Sequence, residues 1–559
     1  MKPDPSMLPL QRLYHWEKAR ANEIYMTQPL GGGVSRDYTW KQVGAEVRSM
    51  AAYLKSQGYE PGSRIAIVSK NCAHWVMSDL AIMMAGYVSV PLYPTLTAES
   101  VRQIMEHSGC VAAFIGKLDV WEAMKPGIPS KVHCISYPLS PKNSFPTWED
   151  IVRKTAPLNE SPVRALDDLA TIIYTSGTTG IPKGVMHSFS TLSWAVLAAN
   201  KRFLLSPEDR VLSYLPMSHV AERLLEMGSF VGGGRIYFAE SLETFASDIR
   251  NARPTLFFSV PRLWVKFQQG TFAKMPKEKL NVLLRIPLLN RVIKKKILVG
   301  MGLDHCRYAA GGAAPMPPDL LRWYKKLGLE IIEVYGMTEN CAISHSNVAG
   351  KTKPGTVGFP YSGVEQRLDP QTGEVLMRSG GVMLGYYREP EKTRETLTAD
   401  GWLKTGDKGE IDAEGRLKIT GRVKDLFKTS KGKYVAPAPI EDKLVTHESV
   451  EACCVAGANF GQPFGILMLS ITEYDRLKGS PEEHKKLNDS LAAHLEAVNA
   501  QLDDHEQMDF LVVVPEQWTV ENGFVTPTMK VKRNAVEDAY SKYFESWLKQ
   551  KKPVVWHGL

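Results

Sequence analysis

The 559-residue chain contains no uninterrupted apolar run of the ~20 residues that a bilayer crossing requires. Its longest nearly apolar stretch, Leu80 to Tyr93, is interrupted by Gly86, Ser89 and Pro91, so no transmembrane helix is expected. The N-terminus lacks both an apolar h-region and a small-residue cleavage site, and does not read as a secretory signal. Cysteine is scarce: seven residues, an odd number, with no C-x-x-C pair and with Cys453 and Cys454 adjacent. That pattern suits neither a zinc cluster nor a disulfide framework, and points to free thiols in a reducing compartment, the cytoplasm. The basic residues are dispersed and come with no zinc-finger or RNP-type motif, so nucleic acid is not an expected partner. Internal repeats and low-complexity tracts are absent.

What remains is an ordinary globular composition, 44% hydrophobic and 23% charged. At this length about three or four folding units are expected. The net charge of +8 is uneven, because residues 422–559 hold 17 Lys/Arg against 20 Asp/Glu and the rest hold 51 against 40. A basic first part favours anionic ligands, phosphorylated small molecules above all.

Apolar runs at Arg64 and Val111 alternate with amphipathic stretches at Trp40–Gln57 and Ser100–His107. This alternation predicts an α/β fold of mostly parallel sheets, continued by strands near Leu256–Val260, Tyr308–Ala310 and Glu330–Val334. From residue 353 to 419 short strands and turn signals predict a small antiparallel, barrel-like subdomain. The major boundary is drawn at Gly421. Residues 1–421 form a large N-terminal domain, and residues 422–559, with a helix over Pro481–Gln501, a small α+β C-terminal domain. The tail from Tyr543 to Leu559, with Trp547 and Trp556, reads as packing, and peripheral membrane contact is its alternative.

The chemistry concentrates first in residues 171–185, TIIYTSGTTGIPKGV. An apolar strand runs into a loop in which Gly177 and Gly180 let backbone amides approach phosphate oxygens. Thr175, Ser176, Thr178 and Thr179 offer hydroxyls and Lys183 a point charge. A Walker-type P-loop is excluded, since two residues separate Gly180 from Lys183 and Gly184 follows the lysine. Alone, the segment also reads as a Ser/Gly-rich surface loop.

It does not stand alone. The segment resembles the phosphate-binding signature of the adenylate-forming (AMP-binding) superfamily, and further matches follow in that family's order. They are LPMSHVAER from Leu215, AGGAAP from Ala310, YGMTE from Tyr335, GWLKTGD from Gly401, GRVKD from Gly421 and TPTMKVK from Thr526. The stretch DLFKTSKGKYVAPAPIE from Asp425 is similar to the loop of long-chain acyl-CoA synthetases. The resemblance implies an ATP/AMP site that adds Gly312, Ala313, Ala314, Tyr335, Gly336, Asp407 and Arg422 to the loop residues above. It implies Lys530, Glu339, Thr338 and His219 as catalytic residues, Glu339 holding Mg²⁺, Lys424 as hinge of a mobile C-terminal domain, and Gly432 beside the CoA channel. Chemically, a carboxylate such as Asp407 suits a ribose diol. A lone His beside an apolar stretch is as often structural, and Lys530 has Lys532 and Arg533 close by. Met529 stands where many family members carry glycine.

The expected activity is therefore an ATP-dependent ligation of a medium- or long-chain fatty acid to CoA through acyl-AMP. Two alternatives stand beside it: transfer of the acyl group to a carrier-protein thiol or other acceptor, and a non-enzymatic nucleotide- or lipid-binding protein.

Overall fold

The computed structural model describes residues 3–175, 182–526 and 529–558. By its internal contacts the chain divides into two units, Met1–Gln366 with Leu376–Lys404, and Arg367–Val375 with Thr405–Leu559.

The first unit is built on three sheets. The largest has seven strands in the order 385–386, 183–188, 169–175, 88–92, 64–68, 110–115, 133–136. Its pairings from 169–175 to 133–136 are parallel, while 183–188 pairs antiparallel with both neighbours. The second places Leu256–Ser259, Tyr308–Gly311 and Ile331–Tyr335 side by side in parallel and ends in two short antiparallel strands, His345–Ser346 and Phe359–Pro360. In the third, Ile24–Gly31 lies parallel to Arg235–Phe238 and antiparallel to Val34–Thr39.

The local causes are plain. Thr39 and Gln42 form a reciprocal capping box at the start of helix Trp40–Ser56, a device contributing about 1 kcal/mol. Helix Ala73–Ala85 is apolar nearly all round and is buried on every side, as a helix without a polar face must be. The long apolar stretch from Leu80 is thus the end of this core helix, a turn at Gly86, and strand Val88–Leu92. Among the described residues no helix is long and apolar enough to cross a membrane.

Residues 353–419 keep their antiparallel texture but do not close. Glu365–Leu368, Glu374–Arg378, Leu403–Ile411 and Leu417–Arg422 form an open four-stranded sheet, while Phe359–Pro360 and Gly385–Tyr386 join two of the larger sheets. Strands of four to nine residues in an open order are too few to curl back on themselves.

In the second unit, Val450–Ala456 and Phe464–Leu469 form an antiparallel pair, and Leu511–Val514 and Val554–Trp556 add parallel to it. Helix Pro481–Asn499 buries Leu487, Leu491, Leu495 and Val498, spaced four, four and three residues apart along one face. The tail packs here: Trp547 is buried, and the indole of Trp556 donates to Asn488 Oδ1 at 3.0 Å.

Candidate active site

In the first unit the site gathers at strand ends. Thr175 closes strand 169–175 and is the cross-strand partner of Lys183, so the two flanks of the phosphate loop are neighbours. Ser176, Gly177, Thr178, Thr179 and Gly180 lie outside the described residues. The Lys183 ammonium sits 5.3 Å from the ring centre of Tyr386, and the Tyr386 hydroxyl donates to Glu339 Oε1 at 2.7 Å. Burial and the Glu339 carboxylate both push that phenol's pKa up, so it stays a donor. One tyrosine therefore joins the cation of one motif to the anion of another.

Glu339 is itself buried and lies in the short 3₁₀ turn Thr338–Asn340 beyond strand Ile331–Tyr335. Its main-chain carbonyl accepts from the Met383 amide at 2.8 Å. The turn is held from behind by His187, fully buried, whose Nε2 donates to the Thr338 carbonyl at 2.7 Å. Burial pushes the pKa of His187 down to about 4, so the ring is neutral, and the carbonyl acceptor fixes its tautomer. The Asn340 side chain accepts from Met337 N at 2.9 Å. At Gly336 a Cβ would stand 2.3 Å from the Ala342 backbone, closer than atoms tolerate, so only glycine lets the chain double back there.

Gly311 is in register with Glu333, which sets Gly312, Ala313 and Ala314 beside the strand that delivers Tyr335 and Gly336. Ala313 takes a left-handed φ of +64° and is exposed with Ala314. Tyr335 is half-buried and pairs in register with His345. The thirteen-residue helix Val220–Gly232 begins at His219, whose Nδ1 accepts from the Ala221 amide at 3.2 Å. The ring thus caps the helix. Behind it, Asn71 Oδ1 accepts from Met217 N, and Glu222 Oε1 accepts from Tyr214 N.

The second unit carries the remaining candidates. Asp407 and Arg422 are cross-strand partners, and Arg422 Nε donates to Asp407 Oδ1 at 3.0 Å. Lys424 is exposed in the turn after strand Leu417–Arg422. Gly432 has a φ of +76° in a tight turn closed by its amide on the Thr429 carbonyl at 2.9 Å, the left-handed region that glycine enters without strain. Lys530 is exposed and closes a turn on Thr526, whose Oγ1 accepts from its amide at 3.1 Å. Met529 occupies the left-handed region at φ +62°, the conformation that a glycine enters freely and other residues rarely do.

Thus Thr175, Lys183, Glu339 and Thr338 come together in one unit, and Asp407 with Arg422 in the other. Tyr386 and His187 were not legible as site residues. Tyr386 is 47 positions from Glu339 and His187 is 151 from Thr338, and neither belongs to a motif that names its partner.

Among the described residues no group of three His, Cys, Asp or Glu could hold a metal ion. Magnesium needs only one or two carboxylates when phosphate oxygens complete its shell, so the Glu339 carboxylate fits a cation that arrives with a nucleotide.

Residues 15–387 match the AMP-binding enzyme family, and residues 424–552 match the AMP-binding enzyme C-terminal domain. The chain is 31% identical to a long-chain-fatty-acid–CoA ligase of Mycobacterium bovis over 570 residues, covering 93% of each. It is 28% identical to peroxisomal long chain acyl-CoA synthetase 7 of Arabidopsis thaliana, covering 92% of this chain and 82% of that one. In fold it is similar to the anthranilate CoA ligase AuaEII in complex with anthranoyl-AMP, with a TM-score of 0.77, 22% identity and coverage of 96% and 98%. It is also similar to the A domain of carboxylic acid reductase from Segniliparus rugosus, with a TM-score of 0.78, 20% identity and coverage of 98% and 96%. With two thirds of its length matched by one family model and a relative above 30% identity along nearly all of it, this chain belongs to the AMP-binding enzyme family.

Proposed function

We propose that the protein is an ATP-dependent acyl-CoA ligase that activates a medium- or long-chain fatty acid through an acyl-AMP intermediate. The observation that carries this reading is the Lys183–Tyr386–Glu339 constellation beside the Thr338 turn, in a chain whose full-length relatives are long-chain-fatty-acid–CoA ligases.

A carboxylate is a poor electrophile, and adenylation turns its oxygen into a good leaving group. In the first half-reaction the fatty carboxylate oxygen bonds to the α-phosphorus of ATP, the bond from that phosphorus to the bridging oxygen breaks, and pyrophosphate departs. Charge grows on the phosphates, and preorganised cations lower its energy. The Gly177/Gly180 loop, flanked by the Thr175 hydroxyl and the Lys183 cation, grips the departing pyrophosphate. Lys530 supplies the cation at the α-phosphate, and Thr338 a hydroxyl there. Magnesium, when bound on Glu339, neutralises phosphate charge. Asp407 accepts the ribose hydroxyls, with Arg422 orienting its carboxylate. Tyr335 and the Gly312–Ala314 loop flank the adenine, and Gly336 lets the chain pass close.

In the second half-reaction the CoA sulfur bonds to the acyl carbon, the carbon–oxygen bond to AMP breaks, and AMP leaves. His219 borders the acyl carbon as a contact residue. Its ring caps a helix, so a proton-transfer role is not part of this proposal. Lys530 serves the first half-reaction and the Gly432 turn the second, with Lys424 as the backbone pivot between them.

The test is pyrophosphate release with acids of graded chain length, with and without CoA. A stoichiometric burst without CoA and sustained turnover with it are expected for medium- or long-chain acids. No pyrophosphate with any acid would overturn an enzymatic reading. Turnover restored by a carrier-protein thiol but not by CoA would replace the acceptor.

A further inference from the structure

The most basic part of the chain lies in the first unit, in a stretch of sequence outside every motif discussed above. Between residues 274 and 296 there are eight Lys or Arg and a single acidic residue, Glu278, so these 23 positions carry +7 of the chain's net +8. They fold as helices Lys277–Leu283 and Leu289–Met301, joined by a short turn.

One side of this helical pair is accounted for. Leu280 is buried, and Leu284, Ile293, Ile297 and Leu298 pack on the core that contains Trp264 and Trp323. The other side is not. Val282, Ile286, Leu289 and Val299 are exposed, and so are Leu288 at 78% and Val292 at 63%. Among the described residues no other stretch of this length collects so many exposed large apolar side chains. Leu288 stands at the tip of the turn with a left-handed φ of +64°, a conformation that costs a leucine about 1 kcal/mol and here wins it no packing.

The spacing organises these residues. Within helix Leu289–Met301, Val292 lies three and four positions before Lys295 and Lys296, and Val299 four and three after them, so these four share one helical face, with exposed Leu288 in the turn that leads into it. That face is apolar and cationic at once. An apolar stripe alone would fit many partners, and a cationic one alone would fit any polyanion. The two interleaved fit a surface that is apolar below and anionic above.

We propose that helices Lys277–Leu283 and Leu289–Met301 form a docking surface for an anionic lipid bilayer. Leu288, Val292 and Val299 enter the boundary between headgroups and acyl chains, while the flanking lysines and arginines stay at the depth of the headgroup phosphates. Nucleic acid is the poorer fit, because residues 276–301 contain no Phe, Tyr or Trp to stack on bases. The proposal goes beyond the ligase reading and does not rest on it, since bilayer binding is measured without any substrate.

Co-sedimentation of the full chain with vesicles tests it, using phosphatidylcholine alone and phosphatidylcholine with one-third phosphatidylglycerol. Binding is expected to the anionic vesicles only, and it should weaken as salt shortens the reach of the surface charge. Lys294→Glu, Lys295→Glu and Lys296→Glu combined should lower partitioning roughly a hundredfold, from the usual worth of a basic residue near an anionic surface. Leu288→Ser with Val292→Ser should lower it roughly tenfold, from the lost apolar transfer. Both variants should melt close to the wild type, because Leu288, Val292, Lys295 and Lys296 are exposed and Lys294 is half-buried; a Lys→Gln triple replaces the charge reversal if that variant melts early. Absence of binding to anionic vesicles overturns the proposal, as does binding undiminished in both variants. So does loss confined to the charge variant together with equal displacement by RNA or an acidic polypeptide, which would make the face a general polyanion site.

Discussion

Tyr386 is the residue on which the first-unit site turns, since its ring faces the Lys183 ammonium while its hydroxyl holds one oxygen of Glu339. Replacing it with Phe keeps the ring and removes one hydrogen bond to a charged group, an interaction of about 1.5–3 kcal/mol. We expect Tyr386→Phe to raise the magnesium requirement of adenylation and lower its kcat/KM for ATP roughly tenfold, with the KM for the acid unchanged. Unaltered magnesium titration would mean that the hydroxyl does not orient Glu339 for the metal. Lys530 makes a sharper case. Its turn is closed by backbone and the Thr526 side chain, so truncating the exposed lysine leaves the turn intact. Lys530→Ala should slow acyl-AMP formation by roughly a hundredfold or more, while CoA-dependent consumption of supplied acyl-AMP stays near the wild-type rate. Equal loss of both half-reactions would assign Lys530 to something other than α-phosphate charge.

At the scale of elements, His187 ties strand Lys183–Ser188 to the turn Thr338–Asn340. Its pKa is about 4 in the fold, lowered by burial, against 6.5 unfolded. A depressed histidine binds its proton less readily folded than unfolded, so its contribution is complete above pH 6.5 and is lost as pH falls toward 4. The loss amounts to roughly 3 kcal/mol across that window. Urea unfolding of wild type and His187→Gln at a series of pH values isolates it. The wild-type advantage should shrink between pH 6.5 and 4, and a constant difference would show that the ring is not held neutral. The same link joins strand and turn directly: the neutral ring donates to the Thr338 carbonyl, which also accepts from the Cys341 amide at 3.2 Å.

For the whole molecule the decisive question is whether the two half-reactions use different arrangements of the backbone near Lys424. Proline fixes φ near −65° and restricts the residue before it, so Lys424→Pro should hold a single arrangement. A burst of pyrophosphate with thioester formation slowed by roughly tenfold or more is expected if that arrangement is the adenylating one. Gly432→Asn provides an independent reading, because asparagine tolerates the left-handed φ of the turn and adds bulk where pantetheine would pass. Wild-type thioester rates in both variants would remove the pivot from the mechanism. The sequence alone determined the α/β class, because hydrophobic periodicity reports which faces are buried, and it determined the family, because phosphate, magnesium and ribose chemistry demand particular side chains in order along the chain. The strands at Arg64, Val111 and Leu256 and the helix from Pro481 were legible for the first reason, and Lys183, Glu339 and Asp407 as candidates for the second. Tertiary structure alone decided that residues 353–419 open into a sheet rather than closing, since closure depends on which edges find partners. It also decided that Tyr386 and His187 stand behind Glu339 and Thr338, and that the basic helices leave one apolar face outward. Contacts between residues tens to hundreds of positions apart are set by strand order and packing, and no local spacing in the chain encodes them.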